Sequence, residues 1–203
     1  MARPKYVAGE AMLRERIENA FLALLDEHPA DEITVKMIVA QVQCTRRSFY
    51  YHFDHMDHLI DSLVEKCFPK EFPHILLRNV LFSNNNFDEA ILSAELNEKL
   101  ENLCLLVGPN TSISIVNKVK QAILFVWYET LGLDKNTLSQ EAATILEFMV
   151  NGVTGVMAYK AKLGKKTKIA SCFGALFPDI PRGIIKRLSL YTDYDLTSFQ
   201  TQA

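Results

Sequence analysis

Apolar residues recur at intervals of three and four along most of this 203-residue chain, and strand-like alternation is nearly absent. That spacing places the apolar side chains on one face of a helix, so it predicts successive helices packed around a shared core. Turn residues separate the helical segments, as at His28-Pro29 and at Gly108-Pro109. The sequence therefore predicts an all-α fold.

Composition limits the kinds of protein that this chain can be. Hydrophobic residues make up 49% of the sequence, which is enough for a folded core, and the formal net charge is -2. We find no segment with the roughly 20 uncharged apolar residues needed to cross a bilayer, so we expect a cytoplasmic protein without a membrane partner. The four cysteines are far apart and form no CxxC pair, which argues against a zinc site or a disulfide framework.

Four helical patterns fill the first seventy residues. The first, from about residue 10, ends before Pro29, and the fourth ends before Pro69. Between them, one short helix begins at Thr34 and another is capped by Thr45, with a tight turn at 42–44. Two short helices around such a turn, with a longer helix on either side, have the spacing of a helix-turn-helix.

The third helix opens with side chains that can read DNA. Its first turn holds Thr45, Arg46, Arg47 and Ser48. This is the end of a recognition helix that enters the major groove, where an arginine bonded to guanine O6 and N7 gives about 1 to 3 kcal/mol of discrimination. Residues 1–70 carry a charge of -2, so bulk charge argues against DNA and the prediction depends on this local arrangement.

The rest of this helix divides into a buried and an exposed side. Phe49 and Phe53 are four residues apart and are expected to face the core. The expected partners of DNA phosphates are Tyr50, Tyr51 and His52 on this helix, with Thr34 and Lys36 at the start of the second. Paired arginines are also common on solvated surfaces, and aromatic runs are more often core than contact. The surrounding motif decides between these interpretations.

The segment from Ile33 to Ile60 resembles the DNA-binding segment of the TetR family of transcriptional regulators. The run YYHF at 50–53 matches the family's near-fixed tetrapeptide in full. The resemblance implies an all-helical homodimer, with a helix-turn-helix domain over 1–70 that binds double-stranded DNA and a dimerisation and effector-binding domain over 71–203. It implies a ligand-responsive repressor, less often an activator, and it leaves the small-molecule effector unidentified.

Three positions depart from the family pattern. Gln43 replaces the usual glycine of the turn, where a left-handed conformation would cost about 1 kcal/mol. Arg47 replaces a second glycine, and Met56 stands where a lysine usually contacts phosphate, with Asp54 and Asp57 nearby. Met56, Gln43 and the net negative charge of residues 1–70 motivate an alternative function, a co-regulator of the same fold with weak autonomous DNA binding that acts through a protein partner.

The segment 142–163 is apolar along two helical stripes, and a helix of that kind is buried on both. One stripe would pack within the subunit and the other on a second copy. The predicted dimer interface consists of Ile145, Gly152, Gly155, Val156 and Tyr159. A central helix in a monomer is the alternative, and it is less favoured because paired half-sites about 34 to 36 Å apart need two heads.

A ligand cavity is implied by the family resemblance rather than by a motif. Its predicted lining is Phe125, Trp127, Tyr128, Phe148 and Met149, although aromatic stripes of this kind are more often core. His52, His55 and His58 are not expected to share one face, so no metal site is predicted. No cofactor motif and no nucleophile with a base can be assembled, so we expect neither a cofactor nor an enzyme.

Further helices are predicted in the C-terminal part, over 74–82, 88–106, 112–131, 139–163 and 182–189. The helix over 112–131 is expected to bury a stripe made of Ile113, Val116, Val119, Ile123, Val126 and Trp127. Several lysines lie between residues 160 and 168, at the C-terminal end of a predicted helix. Their expected role is a favourable interaction with the negative end of the helix dipole in solvent. A membrane contact or a second nucleic-acid contact is the alternative interpretation of that run.

Overall fold

The computed structural model describes residues 4–68, 93–164, 166–174, 176 and 179–191. Within them the chain consists of α-helices joined by turns, with no β-strand, which confirms the predicted all-α class. The helices are α1 Pro4–Glu27, α2 Val35–Val42, α3 Arg46–His52, α4 Met56–Cys67, α5 Ala94–Leu106, α6 Ile113–Leu131, α7 Gln140–Leu163, α8 Ile169–Gly174 and α9 Asp179–Leu188. Short 3₁₀ turns follow α1 at Ala30–Glu32 and α9 at Ser189–Tyr191.

Capping side chains fix where five of the helices begin. In each, a serine or threonine oxygen accepts a hydrogen bond from the backbone N–H three residues later, which satisfies a donor that the helix itself leaves unpaired. The five caps are Thr34, Thr45, Ser93, Ser112 and Ser139. The predicted starts at Thr34, Thr45 and Ser139 are confirmed.

The turn after α2 is formed by a glutamine in the left-handed conformation. Gln43 has φ 55° and ψ 48°, and it is the one non-glycine residue with positive φ in the described part of the chain. Its N–H donates to Ala40 O at 3.3 Å, and the Cys44 N–H donates to Val39 O at 3.0 Å, the paired bonds of a Schellman motif. α6 ends with Gly132 in a similar conformation, φ 59°. The α2 turn therefore has the backbone of a glycine turn without the glycine.

The first three helices, which we call the head, pack around a small apolar centre. Phe49 and Phe53 are fully buried, as predicted, and α1 contributes Ile17, Phe21 and Leu25 to the same core. Burying a side chain of this size is worth about 1.5 to 3 kcal/mol. These contacts hold the short α3, which has too few residues to be stable as an isolated helix.

α4 joins the head to the remaining helices, because it packs against both α5 and α6. The predicted apolar face of α4 is confirmed, since Leu59, Ile60, Leu63 and Val64 are buried. Lys118 of α6 also forms an ion pair with Asp61 of α4. Both α5 and α6 therefore contact the helix that follows α3.

α5, α6 and α7 pack pairwise, and α8 and α9 lie on α7. The predicted stripe of α6 is right for Val119, Ile123 and Trp127, which are buried, and wrong for Ile113, which is exposed. The stripe instead begins at Ile115. Ile113 lies two residues earlier, roughly 200° away around the helix axis, so it cannot share that face.

Some predicted features lie outside the described residues. They are the helix over 74–82, residues 88–92 of the next predicted helix, and the domain boundary at residue 70. Near the C-terminus, the helix expected over 182–189 spans Asp179–Leu188 and buries Ile185 and Leu188.

One described helix is long and apolar enough, by length and composition, to cross a membrane. It is α7, in which one third of the most apolar 18-residue window is buried within the protein. The sequence analysis did not identify α7 as such a segment. The core helix of a soluble protein has the same length and composition, so the observation is weak by itself.

Candidate nucleic-acid interface

α3 presents two arginines to solvent from a helix that is anchored on its other side. Arg46 and Arg47 are exposed and form no ion pair with any described residue, whereas Phe49 and Phe53 point into the core. Thr45 caps the helix by accepting the Ser48 N–H at 3.1 Å. The two guanidinium groups therefore extend from the fixed N-terminal turn of a short helix.

The hydroxyls of Thr45 and Ser48 lie 2.9 Å apart, so one donates to the other and one hydroxyl hydrogen of the pair remains for another acceptor. Thr34 is similar, since its oxygen caps α2 by accepting the Met37 N–H at 3.3 Å and its own hydrogen is still a possible donor. Lys36 is exposed and has no acidic partner in the described ranges. The start of α2 therefore combines a cation, a hydroxyl donor and unpaired backbone N–H groups, which suits a phosphate.

Tyr50 and Tyr51 are largely exposed, Tyr51 to 69% of its surface, and both rings rest edge-on against neighbouring rings. The ring centroids of Tyr50 and Phe49 are 5.4 Å apart, and those of Tyr51 and His52 are 5.1 Å apart. Such packing restricts the rings and leaves much of each surface accessible. The nine residues predicted to contact DNA thus lie in two stretches, at the start of α2 and along α3, on two helices that pack together.

Arg16 of α1 holds the turn between α2 and α3. Its Nη2 donates to Val42 O at 2.5 Å, at the end of α2 where a carbonyl lacks a helical partner. The sequence analysis did not identify this role, because the contact joins residues 26 positions apart and no local pattern marks it. The link fixes the turn that carries α3.

Glu18, also on α1, is a buried carboxylate with three partners. It is 3% exposed and accepts hydrogen bonds from Ser62 Oγ at 3.0 Å and Lys66 Nζ at 2.9 Å, while Arg14 Nε lies 3.5 Å away. The Arg14 guanidinium also sits 4.8 Å from the centroid of the Phe53 ring. Burial lowers the pKa of Lys66, but its hydrogen bond to Glu18 and the charges of Glu18 and Glu15 outweigh this and raise it.

This cluster ties α1 to α4 directly behind α3, because Ser62 and Lys66 belong to α4 and Phe53 follows α3. A buried carboxylate without such partners would be strongly destabilising. The sequence contained a signal for it, since Glu18 follows Ile17 and precedes Phe21 by three residues on the buried side of α1.

Acidic and histidine side chains adjoin α3 at its C-terminal end. The Asp54 carboxylate is 83% exposed, and His58 Nδ1 accepts the Asp54 N–H at 3.2 Å. His55 caps α4 by accepting the His58 N–H at 3.0 Å, and Met56 is partly buried against the core. The described residues contain no group of three or more potential metal ligands.

The predicted dimer residues lie along an exposed face of α7. Gly152 and Gly155 are exposed, and a Cβ added to either would meet no atom within 4 Å; Tyr159 is 60% exposed. Ile145 and Val156 are half-buried. Two exposed apolar neighbours lie on the same side, Leu163 and Phe148, and the sequence analysis had assigned Phe148 to the ligand cavity. We call Phe148, Gly152, Gly155, Tyr159 and Leu163 the α7 face.

The five residues predicted to line a ligand cavity do not come together. Trp127 and Met149 belong to the buried core, whereas Phe125 is 63% and Phe148 67% exposed. Phe125 borders a groove of about 680 Å³ between α4 and α6. Phe148 and Met149 face different sides of α7, because residues next to each other in a helix point in directions about 100° apart.

A second cavity, of about 920 Å³, lies between α1, α5 and the C-terminal end of α7. Its lining combines apolar residues with polar ones, which include Asn19, Asp26, Glu98, Glu101 and Lys160. Lys160 is 2% exposed and forms an ion pair with Glu101. This cavity lies at the junction of the head with the C-terminal helices.

No protein-family model matches the chain, and no curated protein is significantly similar to it.

Proposed function

We propose that the chain is a dimeric, ligand-responsive transcriptional regulator of the TetR family, a repressor, that binds operator DNA through α2 and α3. The single observation that supports this most is the state of Arg46 and Arg47. Both are exposed and lack an acidic partner among the described residues, in the first turn of a helix whose opposite face is locked by Phe49 and Phe53. Unpaired arginines on a rigid helix start suit bidentate bonds to guanine.

Phosphate contacts would come from the start of α2 and from the exposed tyrosines. Lys36 supplies charge, while Thr34, Tyr50 and Tyr51 supply hydroxyl donors. The YYHF run at 50–53 supports the family assignment, because it occupies the end of α3 and the residue that follows it, where the family pattern requires it.

Dimerisation would bring two such heads to paired half-sites. The α7 face supports it, since it offers apolar side chains and two glycines that allow close backbone approach. The protein would act in the cytoplasm, and an effector would shift the balance between two head spacings with a coupling of about 1 to 3 kcal/mol.

A second candidate function is a co-regulator of the same fold that binds DNA weakly and acts through a protein partner. The exposed Asp54 carboxylate at the end of α3 favours it, as does Met56, which is partly buried where a phosphate-contacting lysine would be exposed. An acidic group beside the reading helix repels phosphates, and the missing lysine removes a counterion-release contribution.

A salt titration separates the two functions. Labelled DNA from the region upstream of the gene is titrated with the protein at several salt concentrations. The first function predicts selective binding whose affinity falls steeply with salt, with a log–log slope of about 0.9 per phosphate neutralised. Unselective or micromolar binding by a folded dimer would support the co-regulator instead.

A further inference from the structure

The turn between α5 and α6, residues 107–112, reaches across to the end of α1. Asn110 Nδ2 donates to Leu25 O at 3.0 Å and to Asp26 O at 3.1 Å. The backbone oxygen of Asn110 accepts the Ala30 N–H at 2.7 Å. One residue therefore makes three hydrogen bonds to a segment 80 to 85 positions earlier in the chain.

These bonds fall where α1 needs external partners. The last carbonyls of a helix have no helical donors, and α1 ends at Glu27 without a glycine cap. Asn110 supplies the missing donors with its side chain. It also holds Ala30, the first residue of the 3₁₀ turn that leads into α2. The segment that orients α2 is therefore bonded to the α5–α6 turn.

The other side of the same turn is fitted against α7. A Cβ on Gly108 would lie 3.1 Å from Ala161 Cβ and 3.2 Å from Cys104 O, so only glycine fits without a shift. The turn is also braced internally, because Thr111 Oγ1 donates to Leu106 O at 2.9 Å. It thus forms a compact connector between α7, which carries the exposed apolar face, and α1.

Close to this connector, α1 borders open space. Asn19, Ala23 and Asp26 of α1 line the 920 Å³ cavity, with α5 and the end of α7 on its other sides. A helix beside a cavity can shift more easily than one that is closely packed. α1 also packs on α5 beside this cavity, and the hydrogen bonds of Asn110 add polar restraints at the end of α1.

We propose that Asn110 is a positioning residue that couples α7 to the head, so that displacement of α7 or of the α5–α6 turn changes the orientation of α2 and α3. The inference rests on the proposed function, because it describes how the C-terminal helices regulate DNA binding. α4 provides a second connection, since it bonds to α6 through Asp61 and Lys118 and to Glu18 of α1 through Ser62 and Lys66. That connection does not pass through Asn110.

The test compares Asn110→Asp with Asn136→Asp in the full-length chain. Aspartate has the size of asparagine but cannot donate the two hydrogen bonds to Leu25 O and Asp26 O. Asn136 is a matched control, since its backbone N–H and its side-chain amide donate to Asp134 Oδ1, two residues away. Backbone hydrogen exchange of residues 24–33 is measured without DNA, and N110D is expected to accelerate it about 10- to 100-fold, the scale of two lost hydrogen bonds.

The second measurement uses DNA that the wild-type protein selects from a random pool, with one half-site or with two at varied spacing. N110D should leave binding to a single half-site unchanged. It should broaden or shift the preferred spacing of two half-sites and weaken binding at the wild-type spacing at least about tenfold. A purely structural role would weaken binding to all of these DNAs alike.

Two results would overturn the inference. One is unchanged exchange over 24–33 in N110D, and the other is an acceleration spread over the whole chain, which would make Asn110 a general stability residue. If wild-type protein selects no DNA, the proposed function fails, but the exchange measurement still decides whether Asn110 holds the head. Conversely, selective DNA binding with an unchanged spacing profile in N110D would reject the coupling and leave the function standing.

Discussion

Two exposed surfaces of the molecule have opposite chemistry on similar frameworks. The reading surface, residues 34–36 and 45–52, is cationic and rich in hydroxyl groups, whereas the α7 face is apolar with two glycines. Each lies on a helix whose other side is buried in the core. Exposure alone therefore does not indicate function, and the chemistry of the exposed side chains does. Unpaired cations suit a polyanion, and an apolar face with glycines suits a second copy of the chain.

The surfaces also differ in how they are held. α7 is a 24-residue helix packed on α5, α6, α8 and α9, so its face is supported by many apolar contacts. α3 has seven residues and is held by Phe49 and Phe53, by the Arg16 bond to Val42 O and by the Glu18 cluster behind it. The short α3 thus depends on a few specific polar contacts, whereas the long α7 is stabilised by many apolar ones. We therefore expect the head to be the more sensitive part to single polar substitutions.

The largest effect is expected from a charge placed on the α7 face. Tyr159→Glu should convert a dimer to a monomer and weaken association at least about 100-fold, because a two-fold interface would bury the unpaired carboxylate twice. Helix content should not change, since Tyr159 is exposed in the single chain. Sedimentation equilibrium measures the association. Ile113→Glu is the matched control, because Ile113 is an exposed apolar residue on a different helix, and an equal effect from it would reject the α7 face as the interface.

The next effect concerns base selection by the reading surface. Arg47→Ala should cost about 1 to 3 kcal/mol for the preferred DNA and little for unrelated DNA, because it removes a bidentate contact to a base edge. Competition binding against a randomised pool measures this difference. Lys162→Ala, at an exposed lysine near the end of α7, serves as the control for lost charge. Unchanged selectivity in R47A would show that Arg47 has no such role.

A smaller and differently distributed loss is expected at a phosphate contact. Tyr51→Phe removes one hydroxyl donor and should weaken binding to all DNA sequences alike by about 1 kcal/mol. Filter binding with specific and non-specific DNA gives both affinities. A loss confined to the preferred sequence would instead place Tyr51 at a base edge.

The smallest effect tests the scaffold of the reading surface without changing either exposed surface. Gln43→Gly should raise the free energy of unfolding, because glycine adopts φ 55° without strain. The greater entropy of glycine in the unfolded chain offsets part of this gain, so we expect a net increase of about 0.5 to 1 kcal/mol. Urea unfolding measures it. Gly132→Ala, at the corresponding turn of α6, should act in the opposite direction. A destabilised Q43G would mean that the glutamine side chain makes a compensating contact.

Local chemistry explains which parts of the fold could be predicted. Capping residues such as Thr45 and the four-residue spacing of Phe49 and Phe53 act within one helix, so the helix starts and the buried side of α3 follow from sequence. The stripe of α6 was partly mispredicted, because Ile113 is apolar but lies on a different side of the helix from the buried residues.

Contacts distant in sequence explain what could not be predicted. Arg16 and Val42, Glu18 and Lys66, and Asn110 with Leu25 are pairs that no local pattern marks. Their partners are set by how whole helices pack. The same applies to the cavities. The 920 Å³ cavity combines residues of α1, α5 and α7, and the 680 Å³ groove combines residues of α4 and α6.

Hydrogen exchange with and without the selected DNA tests the central claim most directly, that α2 and α3 form the surface that contacts DNA. We expect bound DNA to slow backbone hydrogen exchange at the start of α2 and along α3. We expect no change in exchange over residues 160–168, which contain the lysine run. Protection confined to that lysine run, or no protection of residues 34–36 and 45–52 at saturating DNA, would contradict it.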